Sequence, residues 1–589
     1  MRGVFLLAIL LYIGTALGQN KYTMQVVPVD KSEVFFTGKY AYPKHYKDSA
    51  QANKQSLTLL NKLRVNGYLA SSIDSISADT LSMYLYIYVG EKFERVVLQN
   101  GNIDEGTLAS AGVRNSLNRA RPLDINTVSN LREKILKQCE NNGYPFATVW
   151  LDSFARHNNN YVAKIYLQKN DLIRIDTIRI LGQTKVKRAF LKNYLGIKTG
   201  RVYNEANVKN ISNRLKQLQF AEPIQPHTVE FQNGKAGINV FLKDRKASQF
   251  NLLIGLLPGS SGKKVLITGD AKIHLFSPFG MGEELYLAWQ SLQPKTQQLN
   301  VRVSYPYLVG LPLGLSARFE LYKRDTSYID LDGDYGIQYQ IIGSNYLKAS
   351  LRNKNTIILN VDTAYIRNTR RLPQSLDVVS NEFALEYYLQ NLDYRFNPTS
   401  GYVLTIGGSA GVKKIRKNNA ITTLFDEQAD TTFALLYDTV RLKSFQFRFN
   451  LAIEKYWRLA ARHTIKTNAS GGYFFSRNIF DNEKYRLGGV NSLRGFDDQS
   501  IFTPYYAMGN VEYRFLISKN SYFSAFFNAA MVEDTRPGKL FDFPYGFGAG
   551  AAVETKAGIF GITYAMGTQL GNKLNGKSSK IHFGYVNYF

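Results

Sequence analysis

The sequence holds a single cysteine, Cys139, in 589 residues. That excludes an intrachain disulfide framework and any site built from several thiolates. Cys139 falls in the helical-looking run Leu131–Glu140, where it reads as a small buried apolar side chain. Long apolar runs are equally scarce. Beyond Ile13 no stretch has the apolar length of a spanning helix, so no transmembrane helix is expected.

Acidic residues are the minority charge, 46 Asp and Glu against 73 Lys and Arg, for a formal net charge of +27. The excess is spread along the chain without a recognition motif, so a nucleic-acid partner is not expected. Anionic lipid headgroups or an acidic partner are better counterparts. Catalytic signatures are missing too. His45, His157, His227, His274, His463 and His582 form no metal-binding spacing, and there is no nucleophile elbow or P-loop. Neither an enzymatic site nor a metal or cofactor is expected. Asp330–Asp334 (DLDGD) resembles part of a calcium loop, but its glycine and downstream acid are misplaced, so it reads as an acidic turn.

What is present begins with Arg2, the apolar run Val4–Ile13 and small residues at Ala16–Gly18, the pattern of a cleaved signal peptide over 1–18. From 21 to 247 helical and strand patterns alternate. Asn53–Val65, Val128–Glu140 and Asn204–Leu218 read as helices, and each leads into an aromatic residue and paired strands. Those aromatics, Tyr68, Tyr144 and Phe220, are spaced 76 residues apart each time, which predicts three small α+β domains.

After Ser248 the pattern is β throughout. Phe445, Phe447, Phe449, Leu451 and Ile453 alternate with Gln446, Arg448, Asn450 and Ala452. Val511, Tyr513 and Phe515 alternate likewise with Asn510, Glu512 and Arg514. Such runs suit tilted strands with an apolar face outward in lipid and a polar face inward. Residues 248–589 hold about 16 such strands at roughly 20 residues per strand and connection. Closure into an all-β barrel is required, because only a closed sheet satisfies every backbone group in lipid.

Gly488, Gly489, Arg494, Gly495 and Phe496, within Arg486–Phe496, resemble the lumen-loop signature of the BamA/TamA-like outer-membrane barrel assembly superfamily. Asn397-Pro398-Thr399-Ser400-Gly401 is similar to the turn before a mid-barrel strand in that family. The tandem α+β repeats resemble its periplasmic POTRA domains, here 21–92, 93–171 and 172–247, ahead of a barrel over 248–589. The resemblance implies a loop that dips inside the barrel, its arginine meeting acids on C-terminal strands. Glu512, inward on its strand, matches one such position. At the other, Asn528 stands where the family has Asp and Ala530 where it has Gly. An amide cannot form the bidentate pair, so Glu512 is expected to be the main partner, and Asn528→Asp to be tolerated.

The last strand, Ile581–Phe589, carries Gly584 and a terminal aromatic, Phe589, and is similar to the end of outer-membrane barrels. The first, Phe250–Leu257, contains Ile254 and Gly255. In the family these two strands form a weak seam that opens sideways. The resemblance therefore implies an outer-membrane protein of a Gram-negative bacterium that inserts or translocates unfolded outer-membrane or secreted polypeptides. Its surroundings would be outer-membrane lipid and periplasmic accessory proteins. Two alternatives stay open: a two-partner-secretion translocator of one dedicated substrate, and, more remotely, a passive channel.

Overall fold

The computed structural model describes residues 22–588 except 94, 123–124, 158–159, 259–264, 292–294, 395–396, 429, 491, 535, 537, 556–557, 575 and 577–578. The leader over 1–18 lies outside the described residues.

The N-terminal region forms three four-stranded sheets, each backed by helices. In the first, Tyr22–Pro28 runs parallel to Ser82–Tyr88, with His45–Tyr46 and Ser72–Ala78 on the outer edges. Asp48 caps the helix Ser49–Val65 by accepting from Gln51 N at 2.8 Å. Leu59 and Leu63 of that helix pack on Met24, Leu85 and Ile87 of the sheet. The second sheet repeats the plan, with Arg95–Asn100 parallel to Asn160–Gln168. There Cys139, on the helix Ile125–Asn141, is buried among Leu131, Ile135 and Val149. The first compact unit of the chain carries these two sheets; the second carries the third sheet and the barrel.

The third sheet is built on Lys235–Asp244, which pairs with Arg174–Leu181, Ala221–Pro223 and Thr228–Gln232. Here the structure corrects the reading of one helix over Asn204–Leu218. It is two short helices, Glu205–Lys209 and Ile211–Gln217, interrupted at Asn210, whose ψ of −9° breaks the α-helical hydrogen-bond run. The helix Arg188–Leu195, not anticipated, closes this domain and ends on Gly196 at φ +70°. It also docks on the barrel, where Lys187 N donates to Gly280 O and Gly343 N to Tyr194 O, both at 2.8 Å. Asn193 Nδ2 donates to Gly310 O at 2.7 Å. Gly282 leaves room for the Phe190 ring, with which a Cβ would collide.

The barrel has sixteen long antiparallel strands closed in one ring. They are β1 Gln249–Pro258, β2 Val265–Phe276, β3 Glu284–Ser291 and β4 Gln297–Tyr305. Then follow β5 Leu313–Arg324, β6 Tyr328–Gln340, β7 Tyr346–Ile358 and β8 Val378–Leu392. The second half is β9 Gly401–Ile415, β10 Lys443–Ala460, β11 His463–Ser476 and β12 Tyr505–Leu516. It ends with β13 Tyr522–Glu533, β14 Tyr545–Thr555, β15 Gly558–Thr568 and β16 Lys580–Tyr588. Alternation does what lipid requires: on β10, Phe445 is 60% exposed while its neighbour Gln446 is 1% exposed. DLDGD is not a turn but part of β6, with Asp330 and Asp334 buried on the inner face. Arg318, Lys348 and Arg352 on the adjoining strands neutralise this stripe, which is why acids persist mid-strand.

Candidate functional site

Residues 477–504 connect β11 to β12 and fold back into the barrel. Tyr485–Leu487 and Ile501–Thr503 pair as a small hairpin that holds the Gly488–Phe496 tip. Gly488, Gly489 and Gly495 adopt φ of +114°, +93° and +98°, which side chains with a Cβ rarely tolerate. A Cβ on Gly495 would lie 2.6 Å from the Met566 carbonyl carbon, so the tip lies backbone to backbone on β15. Phe496 sits against Gly567 and joins Leu493, Ile501, Ala530 and Val532 in a buried cluster. Ala530, the departure from the family glycine, thus packs against the loop.

Arg494 Nη1 donates to Glu512 Oε2 at 2.8 Å, and Nη2 donates to Asn510 Oδ1 at 2.9 Å. Its guanidinium lies 3.4 Å from the centre of the Phe526 ring. The second Glu512 oxygen accepts from Arg514 Nε at 2.7 Å. Arg514 in turn donates Nη1 to Asn397 Oδ1 at 2.9 Å, so one carboxylate links the lumen loop to the Asn397–Gly401 turn. Arg494 and Glu512 retain only 11% and 7% side-chain exposure. A pair so enclosed is costly to break on one side.

Asn528 does not meet the guanidinium. Its Nδ2 donates to the main-chain carbonyl of Arg494 at 3.2 Å. Gly546 of β14 makes room for the same carbonyl, with which a Cβ there would collide. Asn510, Arg514 and Phe526 are the residues that sequence reasoning missed. Asn510 and Arg514 flank Glu512 two positions away on the same inward face, so alternation was a signal sufficient to find them.

At the seam, β1 and β16 share two residue pairs among the described residues, Gln249 with Tyr588 and Phe250 with Asn587. By contrast β1 makes ten pairs with β2. Ile254 and Gly255 pair with Gly269 and Thr268 on that inner side, and nothing is paired to them across the seam among the described residues. Gly584 is matched with Gly561 of β15, and open space surrounds the place its Cβ would take. Phe589 lies outside the described residues.

The sequence pattern of the Omp85 superfamily domain matches residues 278–589, more than half of the chain. That of the POTRA domain, a surface antigen variable number repeat, matches 173–245. Among solved structures, CdiB from Escherichia coli is similar with a TM-score of 0.52 and 13% identity, over 92% of this chain and 97% of that one. CdiB from Acinetobacter baumannii is similar with a TM-score of 0.50 and 12% identity, over 92% and 97% of the two chains. BamA from Haemophilus ducreyi lacking POTRA domains 1-3 shares 16% identity at a TM-score of 0.41, over 84% of this chain and 99% of that one. No curated protein matches. The closed barrel with its preceding POTRA region is an outer-membrane architecture of Gram-negative bacteria, with the α+β domains in the periplasm. The chain belongs to the Omp85 superfamily.

Proposed function

We propose that the chain is a non-enzymatic outer-membrane assembly factor that inserts or translocates other polypeptides at its seam. Three POTRA domains, 21–92, 93–171 and 172–247, capture unfolded outer-membrane or secreted clients by strand addition to their sheet edges. The barrel over 248–589 then offers the edges of β1 and β16 to a client strand, within outer-membrane lipid and beside periplasmic accessory proteins.

One observation carries this reading. Among the described residues the closing strands share two residue pairs, whereas β15 and β16 share seven. Among the described residues the ladder between the closing strands stops at Phe250 and Asn587, which leaves the backbone groups of β1 beyond Phe250 outside any seam pair. Each such group is costly in hydrocarbon, and an incoming strand satisfies it. No bond is made or broken in the client, so strand exchange needs no catalytic group.

A disulfide panel tests the proposal in a Cys139→Ser background. Cysteines are placed at the two positions that pair across the seam, Gln249 with Tyr588 and Phe250 with Asn587. Oxidised seam pairs should stop insertion, reductant should restore it, and a mid-barrel pair at Ala410 and Phe447 should do neither. Full activity with the seam crosslinked would overturn lateral insertion and favour a two-partner-secretion translocator working through the lumen.

A further inference from the structure

Glu512 and its neighbours hold only one limb of the lumen loop. The other limb lies against a different stretch of wall. On the inner face of β6, Asp332 pairs with Arg318 at 3.0 Å, and Asp334 with Lys348 at 3.0 Å and Arg352 at 2.8 Å, all on adjoining strands. Asp330 differs. It accepts from Thr356 Oγ1 at 2.6 Å and has Lys354 at 3.7 Å, but its ion pair is with Arg486 of the loop. The Arg486 guanidinium also stacks 4.0 Å from the centre of the Tyr322 ring. Arg486 and Asp330 retain 15% and 7% side-chain exposure. The same limb is also tied down by Lys354 Nζ donating to Asn482 O and Arg448 Nη2 to Glu483 O, both at 3.0 Å, and by the ion pair of Lys413 with Glu483 at 2.6 Å. These partners sit on β5, β6, β7, β9 and β10, whereas those of Arg494 sit on β12 and β13.

We propose that Arg486 and Asp330 form a second positioning pair, on a different stretch of wall from Arg494 and Glu512, which makes the loop a crossbar fixed at both ends and each pair a backup for the other. A guanidinium so enclosed needs its acceptor, and Asp330 without Arg486 keeps a single, more distant cation. Loss of either pair loosens the crossbar on that side; loss of both loosens it at both ends. This holds whichever route a polypeptide takes, and it goes beyond the seam reading.

The test uses the full chain with Cys139→Ser, purified and refolded into lipid vesicles. Nitroxide labels are placed at Val490 in the loop and Ile337 on the lipid face of β6, which are 46% and 58% exposed. Pulsed electron spin resonance should give one narrow separation in the parent chain and a broad distribution in Arg486→Ala and in Asp330→Asn. Arg486→Lys, which keeps the charge and most of the volume, should narrow the distribution again. Conductance in planar bilayers is the second readout. Arg486→Ala and Arg494→Ala should each raise it modestly, and the double variant should raise it by more than the product of the two. An unchanged separation in both Arg486→Ala and Asp330→Asn, or a double variant equal to that product, would overturn the proposal. Heat-modifiable migration on gels identifies any variant that fails to fold, and the near-isosteric Asp330→Asn then decides the question.

Discussion

The side-chain amide of Asn528 donates to the carbonyl oxygen of Arg494, 3.2 Å away, while the guanidinium of the same residue turns to Glu512 and Asn510. Both ends of Arg494 are thus held, its head by β12 and its backbone by β13. A carboxylate at 528 would face the carbonyl with no proton to give. Asn528→Asp, which the sequence alone presents as harmless, should therefore loosen the loop by about 1–3 kcal/mol, as should Asn528→Ala. The rate at which a maleimide reaches a cysteine at Val490 measures it, and a rate equal to the parent's in both variants would refute the point.

Glu512 serves two arginines, so the two members of its pair are not equivalent. Glu512→Ala strands Arg494 and Arg514 together, whereas Arg494→Ala leaves Glu512 still paired with Arg514 at 2.7 Å. Removing one partner of a fully buried pair costs about 3–5 kcal/mol, and less where water enters a lumen. The expected order is that Glu512→Ala impairs assembly more than Arg494→Ala, with the double variant no worse than Glu512→Ala. Additive losses in an outer-membrane assembly assay would show that the residues act separately.

Gly546 and Gly495 make a steric prediction. Each lacks the atom that would strike the opposing backbone, the Arg494 carbonyl in one case and Met566 in the other. Neither obstacle is a flexible side-chain tip, so Gly546→Ala and Gly495→Ala should each displace the loop, at about 1–3 kcal/mol for the strain of overpacking. Gly509→Ala, where nothing lies within 4 Å, is the matched control. The label separation between Val490 and Ile337 reports the outcome.

Periplasmic pH dependence should show at Asp104. The Lys169 ammonium, 2.8 Å away, together with the Thr107 amide and hydroxyl, holds this carboxyl down to about 2. Because the folded value lies below the ordinary value of 3.8, the contribution is complete above that value and is lost as pH falls through about 2. Asp104→Asn keeps an N-cap for the helix Glu105–Ser110 but cannot ionise. The variant's acid-unfolding curve, followed by circular dichroism, should therefore decline less than the parent's in that window. Parallel curves would exclude the link.

The barrel was legible because lipid and lumen impose opposite demands on alternate residues, and a run such as Phe445–Ile453 displays both. The loop tip was legible because three glycines and one arginine have few other uses at that spacing. What stayed hidden depends on neighbours that a single strand cannot show. The acids of DLDGD look like turn formers until Arg318 and Arg352 are seen beside them. The donor role of Asn528 follows from where the Arg494 carbonyl lands, and the break at Asn210 from the backbone angle of one residue. Seam register is likewise a property of two strands distant in sequence, and so is the Arg486 contact with Asp330.

The docking of helix Arg188–Leu195 has a further consequence. Through Gly280, Gly310 and Gly343 the third domain grips three successive turns, those joining β2 to β3, β4 to β5, and β6 to β7. β1 leaves that domain directly and is zipped to β2 over its whole length. The first half of the barrel is therefore clamped to a rigid footing, while β16 is tethered along one side to β15 and at its base to β1. The two lips of the seam are mechanically unequal. Any parting between them is a one-sided swing, with the first strand as the doorframe and the last as the leaf.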